Sequence, residues 1–135
     1  MFRRILVTGI VMLFLGAFLA TFFKVNILAN AAGTIYIKAN GLVEGTDKIT
    51  NENNVTYTFT DDLNDSIVVQ RSNIIIDGDG YTLTGPDTEV GFNLTDLTNV
   101  TIRNVSIVGF GYGIYLQSST QNIISNNNIT FNEGN

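Results

Sequence analysis

The stretch SNIIIDGDGYTLTG, residues 72–85, sets three isoleucines against a four-residue turn, Asp77-Gly78-Asp79-Gly80, and then starts an alternating strand at once. Apolar runs this short cannot build a sandwich core in a small chain, so they need neighbours of the same kind. Such neighbours recur as NVTIRNVSIVG at 99–109 and NIISNNNITFN at 122–132. Each unit is a short apolar strand, a polar turn and a second short strand. A third strand precedes each of them: SIVV at 66–69, GFNL at 91–94 and GIYL at 113–116. The chain therefore predicts three rungs of three strands, over 66–69, 73–76 and 81–84, then 91–94, 99–102 and 105–108, then 113–116, 122–124 and 128–131.

The spacing decides what the rungs do. Leu94 and Leu116, Ile102 and Ile124, and Ile107 and Ile129 are each 22 residues apart. Between the first and second rungs the step lengthens to 26 (Ile76 to Ile102) and 24 (Leu83 to Ile107), and the extra residues fall in the turns at 77–80 and 85–90. A constant strand period with variable turns marks coil stacked on coil. Stacked in parallel, such strands bury one continuous aliphatic column. Alternation puts Val100 and Ile102 on one face and Thr101 on the other, and likewise opposes Val105 and Ile107 to Ser106. Asparagine and glycine supply the tight or left-handed backbone of the corners. Asn104 and Asn126, also 22 apart, are expected to stack as an amide ladder. Pro86 lies in a turn, where it removes no ladder hydrogen bond. The fold class is all-β, a parallel β-helix (solenoid) of about three rungs over 66–135. Strands at 34–39 and 55–60, within an N-terminal part at 32–65, are expected to cover its lower end.

Residues 1–31 have another character. Arg3 and Arg4 form a basic head, Ile5 to Phe23 is uncharged and mostly apolar, and Ala29-Asn30-Ala31 offers a small-residue cleavage site. This reads as a secretory signal. The run is also long enough for a membrane anchor, since roughly 17–25 residues span a bilayer. Either way a hydrophobic helix precedes the β-helix, and the basic head places everything after residue 31 outside the cell. The exported part holds four basic residues, Lys38, Lys48, Arg71 and Arg103, against all twelve acids, a net charge of −8. That excludes nucleic acid and anionic lipid surfaces as partners of this part. The chain has no cysteine and no histidine, and its methionines, Met1 and Met12, lie in the leader. Disulfides, histidine triads and imidazole ligands are absent with them.

Residues 66–132 resemble right-handed parallel β-helix repeats of the NosD-like, carbohydrate-binding and sugar-hydrolase group. GTIYIKANG at 33–41 with VTYTFTDDLNDSIVVQRSNIIIDGDGYTLTG at 55–85 is similar to the N-terminal opening of large archaeal surface proteins of that fold, and GYGIYL with NIISNNNI resembles their generic rung. The resemblance implies a right-handed coil. It also implies that catalytic or calcium-binding acids, where a member has them, stand on successive rungs of one sheet. Here the outward strand positions are Thr101, Ser106 and Thr130, and no carboxylate ladder forms.

Four sets of residues are candidates for chemistry. Asp77 and Asp79, alternating with glycines, could supply oxygens to calcium, or simply form a tight turn. Asp61 and Asp62, with Asp65, are a carboxylate cluster, but sugar cleavage needs two carboxyls about 5–9 Å apart across a bond, and neighbours on a strand end point apart. Phe110, Tyr112 and Tyr115 form a candidate aromatic sugar platform, offering ring faces with polar tips. The Gly109–Gly113 spacing is no phosphate loop, since no helix follows it. N-x-[ST] occurs at Asn54, Asn64, Asn93, Asn99, Asn104 and Asn128, and Asn54 and Asn64, in looser segments, are the preferred glycan acceptors.

The expected role is an exported or surface-attached module, structural or binding a polysaccharide or cell-surface glycan, without catalysis of its own and without a cofactor apart from calcium at the aspartates. One alternative is the N-terminal part of a polysaccharide lyase or hydrolase. The other is NosD-like copper delivery, for which the exported part lacks soft and imidazole ligands. The sequence stops as its third rung closes, without a cap. The expected partners there are further rungs of a longer protein or another chain, with a membrane at the N-terminal end if the leader stays in place.

Overall fold

The computed structural model describes residues 33–133, and the hydrophobic segment expected as a leader helix lies outside that range. The described residues form strands β1 (Thr34–Ile37), β2 (Val43–Glu44), β3 (Ile49–Glu52), β4 (Thr56–Phe59), β5 (Ser66–Val69), β6 (Ile74–Asp77), β7 (Thr82–Thr84), β8 (Val90–Thr95), β9 (Val100–Arg103), β10 (Ser106–Val108), β11 (Tyr112–Gln117), β12 (Ile123–Ser125) and β13 (Asn128–Thr130). They make three sheets: β11-β8-β5-β1-β2, β12-β9-β6-β4-β3 and β13-β10-β7. Successive strands of a turn lie in different sheets, and each sheet pairs strands of successive turns in parallel. This is a parallel β-solenoid of about three turns.

The register follows the 22-residue spacing. Leu116 stands over Leu94, Ile124 over Ile102 and Ile129 over Ile107. The longer steps also hold, with Ile76 against Ile102 and Leu83 against Ile107. Inward side chains therefore stack in columns: Ile35–Ile67–Phe92 and Ile37–Val69–Leu94 in the first sheet, Tyr57–Ile76–Ile102 in the second. These residues are buried, and no polar or charged residue is buried among the described ones. Each such aliphatic side chain contributes about 1.5–3 kcal/mol of burial free energy, and Phe59 stacks on Phe92 with centroids 6.4 Å apart.

Strands β1 and β4 do more than cover the lower end. They join the sheets in parallel as a lowest layer, under β5 and β6. The edges beyond them are closed by the antiparallel β2 and β3. Arg71 fastens this end, donating from Nη1 to Ala39 O at 2.7 Å and from Nε to Asn54 O at 3.0 Å. Tyr57 and Phe59 point inward as expected, but Val55, expected on the same face, is exposed in the turn before β4.

Corners stack as strands do. Asn73, Asn99 and Gln121 take left-handed backbone (φ 60°, 56°, 57°), as do Asn104 and Asn126 (56°, 55°). A left-handed residue cannot continue a strand, so β6 and β9 begin one residue after their corner asparagines. Gly109 needs its φ of 85° and also its bare Cα, because a Cβ there would stand 2.7 Å from Gly85 O.

Candidate functional site

The outer wall of the first sheet carries the exposed aromatics. Register aligns the outward residues Tyr36, Val68, Asn93 and Tyr115 in one column across four layers. Tyr115 lies in β11 with Tyr112, and their rings meet edge to face at 6.1 Å and 62°. The two residues are 37% and 50% exposed. The geometry is the favourable one for paired rings, and it leaves apolar surface and two phenol groups on a polar wall. Beside Tyr115, Thr95 donates to Asn93 Oδ1 at 2.9 Å.

Phe110, the third residue of the expected platform, is not on this surface. Its ring is fully buried at the corner between β10 and β11, where it fills the space left by Gly85 and Gly91. The GFGYG stretch has no alternation by which sequence alone separates this inward ring from its outward neighbours.

A second feature lies at the corner between the other two sheets. An open groove of about 310 Å³ is lined by Gly80, Asn104, Val105, Ser106, Asn126 and Asn128. Sequence reading singled out Asn104 and Asn128 as N-x-[ST] positions, and Asn104 and Asn126 as stacked corner residues. The signal was their 22-residue recurrence, which puts polar groups side by side on one outer edge. Asn104 and Asn126 do stack as corners, but the Asn104 amide donates to Asp77 Oδ1 at 3.0 Å. An amide-to-amide hydrogen bond between layers forms instead from Asn99 Nδ2 to Asn73 Oδ1, at 3.1 Å.

The acidic candidates are engaged within the fold. Asp77 Oδ2 accepts from Arg103 Nε at 2.8 Å, and Oδ1 accepts from Asn104 and from the Asp79 N–H. Burial pushes the Asp77 carboxyl up, but the hydrogen bonds from Asn104, Asp79 N–H and Arg103 outweigh it and hold it below the ordinary carboxylate value. A cation at Asp77 and Asp79 would have to displace the Arg103 guanidinium, and the described residues contain no group of three or more potential metal ligands. Asp61 pairs with Lys48 at 3.0 Å, and the hydrogen bond from Lys48 lowers its carboxyl. Asp62 accepts the Thr82 N–H at 2.8 Å, and Asp65 accepts the Gly33 N–H at 2.7 Å. These three carboxylates tie different strands together and do not converge on one point.

The preferred glycan acceptors differ. Asn64 is exposed in the turn before β5. Asn54 is exposed too, but Asn51 grips it, with Asn51 Nδ2 donating to Asn54 Oδ1 at 2.9 Å and Asn51 Oδ1 accepting its N–H at 2.9 Å.

One more set of residues emerges only from the stacking. In the second turn the corner positions Leu97, Val100, Val105 and Phe110 are buried and apolar. Twenty-two residues on, the same positions are Ser119, Asn122, Asn127 and Asn132. Their side-chain oxygens accept the N–H groups of the residues beneath: Leu97 at 3.0 Å, Val100 at 2.8 Å, Val105 at 3.1 Å and Phe110 at 2.8 Å. Asn127 and Asn132 also donate to Ile102 O and Ile107 O, at 2.9 and 3.0 Å. Four polar side chains thus satisfy the corner backbone of the turn below.

Fold and surface together define a class, a parallel β-solenoid of about three turns with a polar outer wall and one exposed tyrosine pair. No known family, curated protein or solved structure matches the chain.

Proposed function

We propose that this chain is an exported, right-handed β-solenoid module that holds carbohydrate against its outer wall and performs no chemistry on it. The observation that carries the reading is the edge-to-face pair of Tyr112 and Tyr115, exposed on the first sheet beside Asn93. Sugar rings present apolar C–H faces and hydroxyl rims, which suit aromatic surface with adjacent amides and hydroxyls. The amide-lined groove at Asn104, Asn126 and Asn128 offers further donors and acceptors of the same kind. Export is supported by the basic head and apolar run of the leader. Among the described residues the acids are each engaged with a different partner and do not converge, which favours binding over cleavage.

The test is retention of the full chain on neutral and acidic polysaccharide matrices, followed by a glycan array. Retention that falls at least roughly tenfold in the Tyr112→Ala/Tyr115→Ala double variant is expected. Absence of retention on every glycan, or retention indifferent to both tyrosines, overturns the reading.

A further inference from the structure

The six N-x-[ST] sequons meet different surroundings in the fold. Asn54, Asn99 and Asn104 take left-handed backbone (φ 55°, 56°, 56°), and their amides are engaged. Asn54 Oδ1 accepts from Asn51 Nδ2, Asn99 Nδ2 donates to Asn73 Oδ1, and Asn104 Nδ2 donates to Asp77 Oδ1. Asn54 also lies over the bare Cα of Gly41. Asn93 is half-buried in β8, level with Val68 and Tyr115, and its Oδ1 accepts from Thr95. The sequon of Asn128 is the whole of β13, and Asn128 lines the amide groove with Asn104 and Asn126. A saccharide on any of these five would displace a hydrogen bond or a packed neighbour, or fill the groove.

Asn64 is the exception. It is exposed in the turn between β4 and β5, and no hydrogen bond among the described residues uses its side chain. Its neighbours are pinned. Leu63 is buried and pairs in parallel with Leu83, giving its N–H to Thr82 O and taking the Thr84 N–H, both at 2.9 Å. Asp65 Oδ1 accepts the Gly33 N–H at 2.7 Å, and Ser66 opens β5. A bulky polar group on Asn64 therefore breaks no bond of the fold. The hydroxyl of the same sequon is taken: Ser66 Oγ donates to Glu89 Oε2 at 2.7 Å, 23 residues further on. The motif requires that hydroxyl, so a transferase must meet it before Glu89 does.

We infer that Asn64 is the residue at which this chain is N-glycosylated, and that the sugar is added as the chain emerges, before β8 stacks on β5. The inference rests on the export proposed above. The donor is a saccharide carried on a polyprenyl diphosphate. Asn64 Nδ2 bonds to its anomeric carbon, the diphosphate leaves with the electron pair, and Nδ2 gives up one proton. The emerging chain offers all six sequons, and folding then sorts them. Chains modified at Asn64 close without losing a bond, whereas chains modified at Asn54, Asn93, Asn99 or Asn104 meet an engaged amide and drop out of the folded fraction.

The test uses the full chain with its own leader, in cells whose export route carries an N-glycosylating transferase. Folded, protease-resistant protein is collected from the medium and the outer membrane face. Each sequon is read by peptide mass spectrometry after enzymatic release of the glycan in heavy-oxygen water. A glycan at Asn64 is expected, with higher occupancy than at any other sequon. Asn64→Gln should lose that glycan alone, and its melting temperature should match that of enzymatically deglycosylated wild type. In vitro, with transferase and donor supplied, a peptide of residues 61–69 should be modified much faster than the chain folded beforehand. An exported chain bare at Asn64, or no fuller there than at Asn54 or Asn99, overturns the inference and leaves export standing. A chain retained inside the cell overturns the export reading, and this inference with it. Folded chain modified as readily as the peptide overturns the order of events.

Discussion

Replacing Asn127 by alanine tests whether polar side chains of the third turn hold the corners of the second. The change removes two hydrogen bonds, the one accepted from the Val105 N–H at 3.1 Å and the one donated to Ile102 O at 2.9 Å. At about 0.5–1.5 kcal/mol net for each, the full loss is about 1–3 kcal/mol. Asn127 is only half-buried, so water reaches the vacated groups in part, and the lower half of that range, about 1–2 kcal/mol, is expected. Residue-resolved amide hydrogen exchange is the assay, because it reads the corner and not the whole molecule. Exchange at the Val105 amide should quicken by about 5- to 30-fold, the factor that one or two kcal/mol confers. Amides of β5 and β6, two layers below, should not change. Asn127→Asp separates the two bonds: it keeps an acceptor for Val105 and loses the donor to Ile102, so protection at Val105 should survive although global stability falls. Unchanged exchange at Val105 in Asn127→Ala, or a rise spread evenly through all layers, would refute the reasoning.

Three further outcomes are expected. Leu94→Ala should cost about 2–5 kcal/mol in urea unfolding, as for a buried leucine, while Leu116→Ala, one layer up and half exposed, should cost well under half of that. Gly85→Ala should unfold the second turn, because the new methyl would collide with the Phe110 ring, and Phe110→Leu in the same chain should restore part of the lost melting temperature. The folded-state carboxyl of Asp77 is lowered, so its contribution is complete above the unfolded value of about 3.9 and is lost as pH falls through the lower folded value. Asp77→Asn should therefore flatten the drop in melting temperature between pH 6 and pH 3, measured by circular dichroism.

The coil was legible because its information is periodic. Leu94 and Leu116, or Ile102 and Ile124, announce their contact by spacing alone, since variable turns leave the strands in phase. The lowest layer was less legible. Nothing in TYTF or TIYI distinguishes a strand that caps a column from one that belongs to it, and that difference lies in pairing with β5 and β6. Sequence placed Phe110 with Tyr112 and Tyr115 because all three are aromatic neighbours, whereas the backbone turns inward at Gly109 and sends the first ring into the cavity that Gly85 leaves. The four polar corner residues were within reach. Writing Leu97, Val100, Val105 and Phe110 above Ser119, Asn122, Asn127 and Asn132 shows apolar positions turning polar together. Their hydrogen-bond partners were not within reach, because backbone groups have no letter in the sequence.

The stacking also sets how this chain would respond to tension. Among the described residues, each strand of the third turn pairs with the turn immediately before it, 22 residues back along the chain. Drawn from its C-terminal side, the molecule should peel coil by coil, each release adding about 75 Å of slack at roughly 3.3–3.6 Å per residue. A force trace would then be a staircase whose first step releases 22 residues and whose next is longer, 24 to 26, where the turns at 77–80 and 85–90 add chain.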